Sequence, residues 1–224
     1  HVAAQWIEPM NAALITLKDA TWMLAQDRLR TAREVLAFAG SMTDIAPIGV
    51  YLSVQQALSA LDRLEVRGRD SAGIEVFVTG HDLDLSNPTI AKMLSARQKL
   101  VFTAGAVRAT DTGISFVYKA SAEIGELGDN TASLRAQVAD DDLLRLAIAS
   151  PNARGLLLGH TRWASIGVIS EPNAHPQSSD ELAFAQPFAT AVLNGDVDNH
   201  ADLAAAEALE WVDEISTDAK VIPT

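Results

Sequence analysis

Four segments of this chain concentrate charged, amide and hydroxyl side chains, the first three of them beside glycine. They are Arg63–Gly73 (RLEVRGRDSAG), Gly159–Gly167 (GHTRWASIG) continued by NAHPQ from Asn173, Leu193–Leu203 (LNGDVDNHADL) and Ser216–Pro223 (STDAKVIP). Taken singly, each has a plain structural explanation. Arg67-Gly68 reads as a helix C-terminus with its glycine cap, Arg162-Trp163 as a cation–π pair at a rim, and Asn194-Gly195 as the commonest hairpin turn signal. Other chemistry is excluded more firmly. The 224 residues hold no cysteine, so a thiol nucleophile, a disulfide or a thiolate-bound metal is ruled out within them. The histidines, His1, His81, His160, His175 and His200, are scattered without metal-ligand spacing. Phosphate-loop, GxGxxG, HExxH and GxSxG patterns are all missing.

The elements that must position these segments alternate between helix and strand. From Asn11 to Phe38 there is neither Gly nor Pro, and apolar residues recur at helical spacing, with Pro9 suited to a first turn and Gly40 to a stop. Residues 1–40 carry four acidic and four basic side chains, so all the net charge lies beyond them. That shift makes 1–40 a separate helical element, expected to pack as a layer on the rest because Trp6, Leu14, Leu17, Trp22 and Leu24 supply too much apolar surface to leave in water. A second helix is predicted over 52–66, with Val54, Ala57, Leu58, Leu61 and Leu64 as its apolar stripe. Strands are predicted over 73–78, 114–118, 155–161 and 189–193, and helices over 87–98, 140–149 and 199–209. Residues 168–187, rich in Pro, Asn, Ser and Asp, read as a loop. Such alternation without an internal repeat indicates a layered α/β or α+β domain.

Composition bounds the partners. Hydrophobic residues make up 48 % and charged residues 21 %, enough for a substantial core. A formal net charge of -12 with no basic cluster argues against nucleic acid. No apolar run approaches the ~18 residues of a membrane span, and the opening residues lack the pattern of a secretory signal.

Read together and in order, the four segments closely resemble the glutaminase domain of the glucosamine-6-phosphate synthase family of class II glutamine amidotransferases. That family shows Leu-Glu-x-Arg-Gly-x-Asp-Ser-Ala-Gly, then His-Thr-Arg-Trp-Ala, Asn-Ala-His-Pro, an Asn-Gly pair ending a strand and a Thr-Asp pair at a helix start. All five features occur between Tyr51 and Thr224 with comparable spacing. The resemblance implies an α+β, four-layer αββα N-terminal-nucleophile fold over residues 45–224, with residues 1–40 as an added helical insertion or appendage. It also implies hydrolysis of L-glutamine by a first-residue cysteine whose own α-amine, titrating near ~8, serves as base.

Carried over by position, Asn194 (side-chain amide) and Gly195 (backbone N–H) match the oxyanion hole. Arg162 matches the arginine that holds the glutamine α-carboxylate, a task suited to its planar fork. Asp218 matches the partner of the α-ammonium, and Trp163 a tryptophan of a closing loop. Ser165 and Arg67 complete the expected substrate contacts. No cofactor or metal is implied. The acceptor would be a sugar phosphate, fructose 6-phosphate, handled by isomerase domains downstream of Thr224, in a cytoplasmic enzyme with room for a homo-oligomer.

Departures from the pattern are Ser165-Ile166 for Thr-His, Leu193 for the His before Asn-Gly, and Ala219-Lys220 for Thr-Glu. The largest is the cysteine itself. Either a Cys-Gly-Ile strand precedes His1, or the domain is a glutamine-binding or scaffold module without chemistry. Amidophosphoribosyltransferase is the nearest alternative within the class, but Arg162-Trp163-Ala164 and Asn173-Ala174-His175-Pro176 fit it less well than the aminosugar enzyme.

Overall fold

A computed structural model describes residues 4–99, 101–121, 126–179 and 187–224. It is a mixed α+β fold built on antiparallel sheet. Strands β1 (Ser71–Thr79), β2 (Val107–Ala109), β3 (Ile114–Ala120) and β4 (Arg154–Arg162) form one sheet in the order β2-β3-β1-β4, every neighbour antiparallel. A second, two-stranded antiparallel sheet pairs β5 (Gln177–Ser178) with β6 (Thr190–Ala191). Period-two alternation decides which face each side chain takes. Register pairs Ile74 with Tyr118, Val76 with Phe116 and Val78 with Ile114, all buried on the helix-covered face. Gly73, Glu75 and Phe77 point the other way, beside Lys119, Val117 and Ser115.

The covering helices are α3 (Ile45–Leu64) and α5 (Asp129–Ala139), with α2 (Leu29–Ala39) laid over them. Tyr51, Val54, Leu58 and Leu61, spaced three and four apart on α3, are all buried. Val35 and Phe38 of α2 close this core, with the Phe38 and Tyr51 rings stacked at 5.5 Å between centroids. The shorter helices are α4 (Pro88–Ser95), α6 (Asp142–Ala147) and α7 (His200–Glu207). Asn87 caps α4 by accepting the Thr89 N–H, and Asp141 caps α6 by accepting that of Leu144.

Several expectations needed correction. The helix predicted from residue 52 begins at Ile45, because Pro47 is tolerated in a first turn and burial of Val50 and Tyr51 outweighs the cost of Gly49. Pro9 lies inside α1 (Ala4–Trp22), not in its first turn. Residues 4–39 are helical, but only α2 packs on the core. The side chains of α1 from Trp6 onward are almost all exposed, and a π-helical stretch, Met23–Arg28, joins the two. The strand predicted over 189–193 is ladder-bonded only at 190–191, and the predicted loop 168–187 contains β5. Its residues 180–186, like His1, lie outside the described residues. Helix α5 was missed because Gly128 and the polar Asp129-Asn130-Thr131 hide a core-facing pair, Leu134 and Val138.

Where the uncovered sheet face meets the second sheet, the two backbones touch. A Cβ on Gly73 would stand 2.1 Å from the carbonyl oxygen of His175, so only glycine fits there. Farther along the same face, Phe77, Leu156, Leu158 and Phe188 line a mainly apolar cleft of about 900 Å³.

Candidate functional site

At the Gly73 end of that sheet face, several chain segments converge on a small cleft of about 250 Å³. Each arrives from the end of an element, where side chains leave the ladders free. Arg162 is the last residue of β4, and Arg67 ends a 3-10 turn (Glu65–Arg67) after α3. Asn194 and Gly195 form the turn after β6. Asp218 opens a 3-10 helix, Asp218–Val221. Trp163 and Ser165 lie in the loop after β4. The seven residues singled out in the sequence, Arg67, Arg162, Trp163, Ser165, Asn194, Gly195 and Asp218, all line this one cleft.

The charged pair is the buried part. Arg162 and Asp218 are each only 4 % exposed, and among the described residues they form no ion pair with one another. Burial lowers the pKa of the Arg162 guanidinium, and the carboxylates of Asp218 and Asp70 oppose that shift. Two of its N–H groups are used locally, donating to the carbonyls of Val168 at 3.2 Å and of Ile166. Three of the five donors of a guanidinium therefore remain for other acceptors. Asp218 Oδ2 accepts the Val197 N–H at 2.6 Å, which leaves further lone pairs on the carboxylate.

The loop after β4 is held down at several points. Asp70 accepts the Ala164 N–H at 2.8 Å, and Ser165 donates its hydroxyl to Asp196, tying the loop to the Asn194-Gly195 turn. Gly167 has φ +88°, and a Cβ there would lie 2.8 Å from the Ser216 carbonyl oxygen. Trp163 projects from this loop, 73 % exposed, at the mouth of the cleft.

The sequence pattern includes Asn173 and His175 but assigns neither a task. Asn173 is fully buried, and its Oδ1 accepts the backbone N–H groups of Ser216 and Thr217 at 2.7 and 2.8 Å. Its Nδ2 donates to Ser170 and to the Glu214 carbonyl. One amide thus fixes the approach to Asp218. His175 stacks on His160 with centroids 4.5 Å apart, and its Nδ1 accepts the Leu193 N–H at 3.1 Å. Desolvation, then the neighbouring His160, Lys119 and Arg162, push its pKa down to about 3, so the ring is neutral and can accept. The pKa of His160 is also lowered, by burial and the Arg162 charge, against a backbone contact to Leu193. Leu193, directly before Asn194, is therefore held through its N–H by the neutral imidazole of His175. The buried ammonium of Lys220 donates to the Ser178 carbonyl, joining the 3-10 helix to β5.

A buried cation and a buried anion that make no direct ion pair, beside a side-chain amide and a backbone N–H, suit a small zwitterion bearing a further polar group. Among the described residues no histidine–carboxylate cluster could hold a metal ion. No described helix is long and apolar enough to cross a membrane.

No family model matches the chain. It is 31 % identical over 176 residues to the glutamine–fructose-6-phosphate aminotransferases (isomerizing) of Bacillus thuringiensis subsp. konkukian and Bacillus anthracis, covering 78 % of this chain and 20 % of each relative. To the protein of that name from Staphylococcus aureus strain N315 it is 36 % identical over 95 residues, 42 % of this chain and 15 % of the relative. The chain spans about a fifth of the length of the curated relatives it matches over most of its own residues.

Proposed function

We propose that residues 45–224 are the glutamine-handling domain of an aminosugar-forming amidotransferase, of four-layer N-terminal-nucleophile type. In this reading the domain releases ammonia from L-glutamine for transfer to a sugar phosphate such as fructose 6-phosphate. The observation that carries it is the convergence of Arg162, Asp218, Asn194 and Gly195 on one cleft with the first two buried and unpaired.

Arg162 then takes the α-carboxylate through its unused N–H groups, and Asp218 takes the α-ammonium. The two charges make no direct ion pair with each other, so a ligand carrying both opposite charges can pair with each. The Asn194 amide and the Gly195 N–H donate to the oxygen that becomes negative when the side-chain amide is attacked, an interaction that strengthens in the transition state. Arg67, Ser165 and Trp163 line the cleft mouth, Ser165 through the loop-to-turn contact with Asp196 and Trp163 as a cover. The attacking thiol must come from outside these 224 residues, which contain no cysteine. That same fact favours a second reading, a glutamine-binding module without hydrolysis.

The deciding experiment is a glutaminase assay on the domain extended to a processed N-terminal cysteine. Turnover to glutamate and ammonia is expected, and Asn194→Ala should lower kcat by ~10²–10³ with a smaller change in KM. Arg162→Ala should chiefly raise KM, because its contact is the same in ground and transition states. Glutamine binding without any turnover would favour the second reading instead.

A further inference from the structure

Helix α1 leaves a long run of large apolar side chains uncovered, and among the described residues it packs mainly against its own π-helical continuation. Ile7, Met10, Leu14, Leu17 and Leu24 are each half to two-thirds exposed, as are Trp6, Ile15 and Trp22. The first five follow a heptad pattern, spaced three, four, three and seven apart, with Leu24 entering the π-helical stretch. A period of 3.5 residues keeps a seam facing another helix and does not suit a flat surface.

We propose that α1 is a self-association helix that pairs antiparallel with α1 of a second copy of this chain. Two observations select that occupant. The seam reads nearly the same in both directions: about its midpoint between Ile15 and Thr16, Leu14 falls opposite Leu17, Ile7 opposite Leu24 and Met10 opposite Thr21. Ala13 and Ala20 flank it as small residues that let the helix backbones approach. The surface is also of the right size. Eight large side chains at this exposure present on the order of 800 Å² per copy, the share each partner contributes to a standard stable interface.

Charge selects the orientation. Residues 1–40 are neutral, so the net charge of -12 sits entirely on the body. Antiparallel pairing puts the two anionic bodies at opposite ends of a helix pair, separated by ~30 Å or more, several Debye lengths at physiological salt. Parallel pairing would set them side by side. A membrane surface fits poorly, since the helix and its π continuation carry Glu8, Asp19 and Asp27 against only Lys18 and Arg28 and have no basic face.

Sedimentation of the 224-residue chain at ~10 µM should show a dimer, and Leu14→Asp/Leu17→Asp should weaken it by about a hundredfold or more while leaving the body's thermal transition unchanged. Because the chain has no native cysteine, orientation can be read by cross-linking. A mixture of Ile7→Cys and Leu24→Cys chains should form the mixed disulfide about tenfold faster than either variant alone. A monomer persisting to ~100 µM, a dimer unaffected by the double aspartate variant, or a monomer that binds lipid vesicles through α1 would overturn the proposal. Preferential self-cross-linking of each variant would overturn the antiparallel arrangement.

Discussion

Asp218 accepts the backbone N–H of Val197 at 2.6 Å, so the buried carboxylate that faces Arg162 across the cleft also fixes the turn carrying Asn194 and Gly195. Two tasks therefore fall on one side chain. Asp218→Asn keeps the shape and an acceptor oxygen but removes the negative charge. It is expected to leave the urea midpoint nearly unchanged while abolishing measurable glutamine binding, whereas Asp218→Ala should lose both. Equal glutamine affinity for wild type and Asp218→Asn would remove the carboxylate from the site.

Asn173 should behave as a structural staple. Asn173→Ala leaves the N–H groups of Ser216 and Thr217 without their acceptor in a buried place, at a cost of about 2–4 kcal/mol by urea denaturation. Glutamine affinity should fall with it, since the approach to Asp218 loosens. A loss below ~0.5 kcal/mol would mean that water replaces the amide without penalty.

His175 gives a pH dependence with a definite sign. Its folded pKa is about 3 against an ordinary value of 6.5, so the unfolded chain binds the proton first. The contribution of the neutral ring is fully present above pH ~6.5 and declines as pH falls toward 3. Stability should drop by about 2 kcal/mol between pH 7 and pH 5 from this group. The His175→Asn variant should flatten that slope, measured as the urea midpoint across the range. An unchanged slope in the variant would assign the effect elsewhere.

Two glycines make a matched pair. Gly73→Ala must displace the His175 carbonyl, with an expected loss of several kcal/mol or separation of the second sheet from the first. Gly49→Ala meets nothing within 4 Å and lies inside α3, so it should stabilise by about 0.5–1 kcal/mol. Thermal melts of the two variants would separate close approach from simple helix propensity.

The cleft was legible in the sequence because its residues sit at element ends within short polar runs, and a short run can be read without knowing what it packs against. Arg162 at the end of β4 and Asp218 at the start of the 3-10 helix are such cases. What was not legible depends on contacts far apart in sequence. The His160–His175 stack and the Asn173 bonds to Ser216 and Thr217 join residues that no local pattern links. Helix α1 misled for the opposite reason. Its apolar content was correctly seen, but content says only that a surface needs a partner, not that the partner belongs to the same chain.

The most direct test of the proposed glutamine site is a titration of the 224-residue chain with L-glutamine, followed by amide chemical shifts. Binding in the millimolar range, roughly -4 kcal/mol, is expected, with the largest shifts at Ala164, Gly195, Asp196, Val197 and Thr217. D-glutamine, which cannot present both charged groups to Arg162 and Asp218 while reaching Asn194, should leave those amides in place. Shifts confined to the apolar cleft near Phe77 and Leu156, or equal shifts with both enantiomers, would contradict the account.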